Sequence, residues 1–433
     1  MLFTNIDVLQ ADGTLLPGRT VAVRDGRIVY IGKSVPTADW GEVVAGKDRL
    51  LMPGLYNVHT HAAMTLLRGY GEGASGEDLP LDRWLRERIF PIEAKMTGDD
   101  VYWGTMLGIA EMLSTGTVSF SDMYFFSDRV AQAAFTSGIK ANIGHSIRCT
   151  DDKKSLKELP SFFETKGLLE ALRELRTDRV RVDVAPHSEY TTTPKLLAEL
   201  AEFSAAYGTR VQTHLSETQK EQLACVGRHG KTPAAVMRDA GLFNRPVTAA
   251  HCVWVTESDQ EILREHGVTV AHCPQSNLKL GSGIAPVENM RRMGIPVAVG
   301  TDSAASNNNL DLLEEIRTAA LLARGIARDP CALPAADALY MATRAGALAQ
   351  GREDCGDIRE GYRADLLVLN ERAPSMTPRH SLLTNLLFSA SPDALEMTVV
   401  NGRVLYRGGE FPTLDIERIR YRVNRCVKAL LAR

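Results

Sequence analysis

Leu50-Leu51-Met52-Pro53-Gly54-Leu55-Tyr56-Asn57-Val58-His59-Thr60-His61 reads as a turn running into a short apolar strand that ends on two histidines. Residues i and i+2 of a strand point to the same side. The two imidazoles are therefore aimed together, as two ligands for one metal ion would be. Taken alone, a His-x-His pair is equally well read as two buried or surface histidines. The rest of the chain decides between these readings.

Outward from this stretch, the middle of the chain alternates short apolar strands with longer helical runs. Strands are expected at 55–58, 117–121, 140–144, 181–185, 209–213, 247–250, 268–271 and 296–300, with helices at 101–114, 194–207, 256–266 and 310–324. Eight such units over roughly 300 residues predict an α/β fold of the (β/α)8 barrel type. A doubly wound sheet would need a glycine-rich phosphate turn after an early strand, and none is present. Both ends of the chain are β-rich instead. Strands at 5–9, 20–24 and 27–31 include an Asp25-Gly26 hairpin turn, and those at 364–369, 397–400 and 403–406 include Asn401-Gly402. Neither end has enough strands to bury a face by itself. A composite β-sandwich from residues 1–52 and 355–420 is expected, beside a barrel of 53–354 and a C-terminal helix at 421–433.

In a barrel, the C-terminal ends of the strands share one mouth. His59 and His61 end strand one, His187 follows strand four, His214 ends strand five, His251 ends strand six and Asp302 follows strand eight. His229, His266 and His380 fall on helices or loops, and His272, just after strand seven, is read as structural. Three imidazoles and a carboxylate suit a divalent transition metal, most often zinc, with Fe2+ as the main alternative. His59, His61, His214 and Asp302 are the expected ligands of one metal per subunit. Such a metal would lower the pKa of a coordinated water toward neutrality. Glu217, three residues after His214, is placed to shuttle a proton beside the metal; the plain alternative is an acid at a helix N-terminus. A second metal normally needs a bridging glutamate or lysine near strand four, and residues 180–190 hold no lysine. His251 is accordingly read as an orienting and polarising group.

Composition narrows the partners. The chain has 433 residues, is 44% hydrophobic and 24% charged, and carries a net charge of -3. Near-balanced charge argues against nucleic acid or an anionic membrane surface as partner. No apolar run approaches the ~20 residues of a membrane-spanning helix, and no signal peptide is apparent. Seven scattered cysteines without a CxxC pair fit a reducing cytoplasm rather than a disulfide framework.

At this point the chain resembles the amidohydrolase superfamily. The resemblance rests on HxH after strand one, His then Glu on strand five, His on strand six and Asp on strand eight. Met52 to His61, Met64-Thr65-Leu66-Leu67-Arg68-Gly69, Pro91-Ile92-Glu93, Ser121-Asp122-Met123-Tyr124-Phe125, Ser276-Asn277-Leu278-Lys279-Leu280 and Gly300 to Asn308 are similar to the branch of 5-methylthioadenosine and S-adenosylhomocysteine deaminases. Triazine hydrolases share much of the pattern. The resemblance implies metal binding by His59, His61, His214 and Asp302. It implies that Glu217 protonates a ring nitrogen, that Asp302 takes the proton of the attacking water, and that His187 touches the substrate. Glu93 would accept hydrogen bonds from ribose hydroxyls, as an acceptor-only carboxylate does well.

Members acting on S-adenosylhomocysteine carry arginines after strand three that hold the amino-acid carboxylate. Here His145 stands where one is expected, and Arg148 is the nearest substitute. Histidine replaces a bidentate arginine poorly. The expected substrate is an adenosine-type nucleoside with a neutral 5′ group, such as 5′-methylthioadenosine, 5′-deoxyadenosine or adenosine, ahead of S-adenosylhomocysteine. Trp84 is a candidate neighbour of the 5′ group, and residues 75–88 a candidate lid or subunit contact in a homo-oligomer. The competing readings are deamination or chloride displacement on guanine or a triazine, cleavage of a cyclic amide, and a non-catalytic metal-binding protein.

Overall fold

Eight parallel strands follow one another around the central unit of the protein. They are Leu55–Thr60, Thr117–Tyr124, Lys140–Ile147, Val180–Pro186, Val211–Leu215, Val247–His251, Thr269–His272 and Val297–Val299, each paired with the next in chain order. The computed structural model describes residues 1–71 and 79–433. Part of the segment read as a candidate lid or subunit contact, residues 75–78, lies outside the described residues. All eight strands were expected from their apolar runs. The seventh extends to His272 and the third to Ile147, because parallel pairing continues past the apolar residues.

The ring closes between strands eight and one. The Asp302 N–H donates to the His59 carbonyl at 3.0 Å. Gly300 makes this approach possible, since a Cβ there would lie 2.8 Å from both His59 N and His59 O. Small side chains fill the interior below the mouth, where Val58, Ala250, Ala271 and Ala298 pack against Ala349. Gln350 donates from Nε2 to the Asn57 carbonyl at 3.0 Å and Arg352, buried, donates to the Asn142 side chain, so residues 349–352 form the barrel floor.

The chain ends build a second, mostly antiparallel sheet. Its path runs Arg403–Arg407, Leu395–Val400, Leu366–Asn370, Arg49–Pro53, Leu2–Leu9, Leu15–Arg24, Arg27–Gly32, with Val43–Ala45 paired to Leu2–Leu9. Phe3, Ile6, Val21, Ile28, Leu366 and Val399 bury its separate core. Asp25-Gly26 and Asn401-Gly402 make the two hairpin turns with positive φ at all four residues. Arg49–Pro53 runs from this sheet almost directly into the first barrel strand, which fixes the orientation of His59 and His61.

The C-terminal helix spans Ile416–Ala432 and so starts before the expected residue 421. Asp415 caps it, accepting the Arg418 N–H at 2.9 Å. Among the described residues, no helix is long and apolar enough to cross a membrane.

Candidate metal centre and active site

The strand ends bring the expected ligands together. His61 Nε2 and His214 Nε2 are 3.4 Å apart. Asp302 Oδ1 lies 3.3 Å from His61 Nε2 and 3.6 Å from His59 Nε2. His251 joins the same cluster, because one ligand atom each of His59, His214 and His251 also lie within 4.8 Å of one another.

Neighbouring groups aim these atoms inward. His61 Nδ1–H donates to the Met123 carbonyl at 2.5 Å, and His214 Nδ1–H to the His187 carbonyl at 2.6 Å, which leaves both Nε2 lone pairs facing the centre. Asp302 Oδ2 accepts from Ser276 Oγ at 2.6 Å and Ser306 Oγ at 2.7 Å, so Oδ1 is the free oxygen. His251 Nδ1 is held by Asn277 Oδ1 at 2.8 Å.

His59 Nε2 is buried and has no hydrogen-bond partner. Lone pairs that converge in a buried site repel unless a cation sits among them, so these residues fit a divalent metal. Burial holds His59 down at about 4 and drives His214 well below the usual imidazole range, keeping both in the neutral, ligating form, whereas Asp302 outweighs burial at His61 and raises it to about 9, so His61 would give up a proton on binding a metal. Burial pushes the Asp302 carboxyl up, but the neighbouring His59 and His61 imidazoles prevail and hold it well below the usual carboxylate range.

A cavity opens beside the cluster. Glu217 lines it, with Oε2 3.7 Å from His251 Nε2. Burial raises the Glu217 carboxyl above its usual range, which favours the protonated form. His187, Glu93, Arg148 and Trp84 line the same cavity, together with Leu81, Leu85 and Phe90 of the helical strap over the mouth. His187 Nδ1 lies 3.2 Å from both Ser188 Oγ and Thr191 Oγ1, and burial drives its pKa well below normal, so a neutral imidazole faces the cavity.

His145 does not line this cavity. It faces an adjoining one, with Nδ1 3.1 Å from Glu164 Oε2. Strand parity explains the placement: Ser146 and Arg148 share the face toward the metal cluster, and His145 points to the other. Arg148 is already engaged. Its guanidinium lies 4.5 Å from the Phe125 ring centroid, 4.9 Å from that of Phe90, and 3.7 Å from Glu93 Oε2. Sequence reasoning assigned no role to Ser276, Asn277, Ser306, Tyr190 or Glu221, which complete the site.

Residues 50–405 match the amidohydrolase family. The chain belongs to the amidohydrolase family. Among relatives of this amidohydrolase, a 5-methylthioadenosine/S-adenosylhomocysteine deaminase from Dictyoglomus thermophilum is 46% identical over 88% of each chain. A 5′-deoxyadenosine deaminase from Methanothermobacter thermautotrophicus is 39% identical over 96% of this chain and 95% of its own length. An adenosine deaminase from Xanthomonas campestris with bound zinc superposes with a TM-score of 0.91, at 32% identity, over 100% of this amidohydrolase and 98% of that chain. An atrazine chlorohydrolase from Arthrobacter aurescens gives a TM-score of 0.89 at 23% identity over 98% and 99%, which speaks for the shared fold alone.

Proposed function

We propose that this amidohydrolase deaminates an adenosine-type nucleoside with an uncharged 5′ group to the inosine-type product and ammonia. The observation that carries the reading is Glu217, a buried carboxyl raised in pKa at the edge of a His/Asp cluster and next to His251. The deaminase relatives at 39% to 46% identity support it.

His59, His61, His214 and Asp302 would hold one divalent ion, zinc first, which supplies the Lewis acidity that brings the pKa of a bound water toward neutrality. Asp302 takes the proton of the water that adds to C6 of the adenine ring. Glu217 delivers a proton to N1, and His251 stabilises the nucleophile from the side. The exocyclic amine leaves as ammonia after a further proton reaches it. His187 hydrogen-bonds the base, and Glu93 accepts from the ribose hydroxyls.

The 5′ preference follows from Arg148. Its guanidinium is spent on Glu93 and two aromatic rings, and the strap beside it offers Leu81, Trp84 and Leu85. An apolar or small 5′ group gains from these contacts, whereas among the described residues lining this cavity an amino-acid carboxylate meets no arginine besides the engaged Arg148. Seven unpaired cysteines suit a reducing compartment.

The test is a spectrophotometric assay of adenine-to-hypoxanthine conversion with zinc-loaded protein. 5′-Deoxyadenosine, 5′-methylthioadenosine and adenosine are expected to turn over with higher kcat/KM than S-adenosylhomocysteine. Ammonia release from guanine, or chloride release from a triazine, without adenosine turnover would overturn the reading. Glu217→Gln is expected to lose at least about 100-fold in kcat with metal content retained.

A further inference from the structure

Glu217 carries the proton in this scheme, yet its side chain is only lightly held. Its nearest polar contacts are Ser282 Oγ at 3.5 Å and His251 Nε2 at 3.7 Å. The placement of its carboxyl therefore depends on its main chain. That main chain follows an unusual turn, because Ser216 adopts φ +48°, in the left-handed region that residues with a Cβ avoid.

Glu221 fastens the turn. It stands in the first turn of the helix Gln219–His229, whose N-cap is Thr218. In an ordinary capping box the acid three residues into the helix returns to the N–H of the N-cap residue. Here it reaches past Thr218. Oε1 accepts the Ser216 N–H at 3.0 Å and Oε2 accepts the Glu217 N–H at 2.8 Å. The Ser216 carbonyl accepts the Trp254 N–H at 2.9 Å, and Ser216 Oγ donates to Gln222 Oε1 at 2.7 Å.

Glu221 is buried, and the Glu217 carboxyl is near enough to act on it electrostatically, an arrangement that a purely structural cap does not need. Burial first, and the nearby Glu217 carboxyl whenever it is ionised, push it up to about 7. A buried acid kept next to another acid, with each oxygen bound to a different main-chain N–H of the proton carrier's own turn, points to a role in catalysis rather than in helix capping.

We propose that Glu221 is a positioning residue for the deamination, clamping the main chain of Ser216 and Glu217 so that the Glu217 carboxyl reaches the ring nitrogen. The proposal rests on the role given to Glu217 above. Glutamine at 221 can accept through one atom only, since its Nε2 is a donor.

Three variants of the zinc-loaded protein, Glu221→Gln, Glu217→Gln and Glu221→Gln with Ser216→Gly, are compared with wild type on 5′-deoxyadenosine, with turnover expressed per bound metal. Glu221→Gln is expected to lower kcat about 10- to 100-fold with KM within about twofold. Glycine enters the left-handed region without strain, so adding Ser216→Gly is expected to return at least about threefold of the lost kcat. A merely structural acid gives no such rescue. Wild-type kcat in Glu221→Gln, a loss confined to KM, or a further loss on adding Ser216→Gly overturns the proposal. Activity in Glu217→Gln would instead remove the role of Glu217 itself. If Glu221→Gln does not accumulate folded, Glu221→Asp, which keeps the charge but reaches one N–H at most, is judged by the same kcat and KM criteria.

Discussion

His272 is a buried imidazole at the end of the seventh strand, 2% exposed, and its Nδ1 has no hydrogen-bond partner. Burial lowers its pKa from 6.5 to about 3. A histidine with a depressed folded pKa takes up its proton only when the chain unfolds. Its contribution to stability is therefore complete above pH 6.5 and is lost as the pH falls from 6.5 toward 3. Between pH 7.5 and pH 5 this single group is expected to remove about 2 kcal/mol. His272→Phe should flatten that part of a stability–pH curve measured by urea unfolding; an unchanged slope would refute the assignment. That His59, His61, His214 and Asp302 converge was legible residue by residue, because equivalent positions at strand ends are visible as spacing. Asn277, Ser276 and Ser306 were not. A serine or asparagine near a helix start looks like any cap, and only the fold shows that His251 and Asp302 lie against it. His145 was misplaced for a simpler reason: parity within the strand sets it opposite Ser146, and that signal was already in the sequence.

The elements that matter most are the first and eighth strands, which meet through the His59 carbonyl and the Asp302 N–H. A methyl group on Gly300 would press on the His59 main chain at 2.8 Å. Gly300→Ala is expected to cost about 1–3 kcal/mol of stability by overpacking and to weaken metal binding, because three of the four expected ligands, His59, His61 and Asp302, sit at the ends of the displaced strands. Equilibrium denaturation with zinc content measured by mass spectrometry checks both effects; native metal occupancy and stability would show that the strands separate without harm. The strands themselves were easy to foresee, since buried parallel strands read as short apolar runs. Their ends were harder. Strands two and three continue through Asp122, Ser146 and other polar residues, held by pairing rather than by composition.

Across the whole molecule, the two sheets are joined at a buried polar node. Asp365 pairs with Lys140 of the third barrel strand, accepts from Tyr56 Oη at 2.6 Å and accepts the Asn401 N–H at 2.9 Å. Lys140 and Asp365 are both almost fully buried. Asp365→Asn leaves the ammonium without its counter-charge and is expected to cost about 3–5 kcal/mol, read from the urea midpoint at an unchanged m-value. A loss below about 1 kcal/mol would place the node outside the stabilising contacts. The composite sheet was foreseeable from β-rich ends too small to stand apart, but this node was not, because nothing local links residue 140 to residue 365.

The strand Leu366–Asn370 completes the second sheet by lying directly against Arg49–Pro53, the run that leads into His59. On the ribosome, the earlier strand waits for more than 300 residues of chain before its neighbour exists. At roughly 5–20 residues per second that is about 15–60 seconds with an apolar edge exposed. The sheet that leads into His59 is thus completed only after residue 370 has been made, and until then the nascent chain needs protection from pairing with another copy of itself.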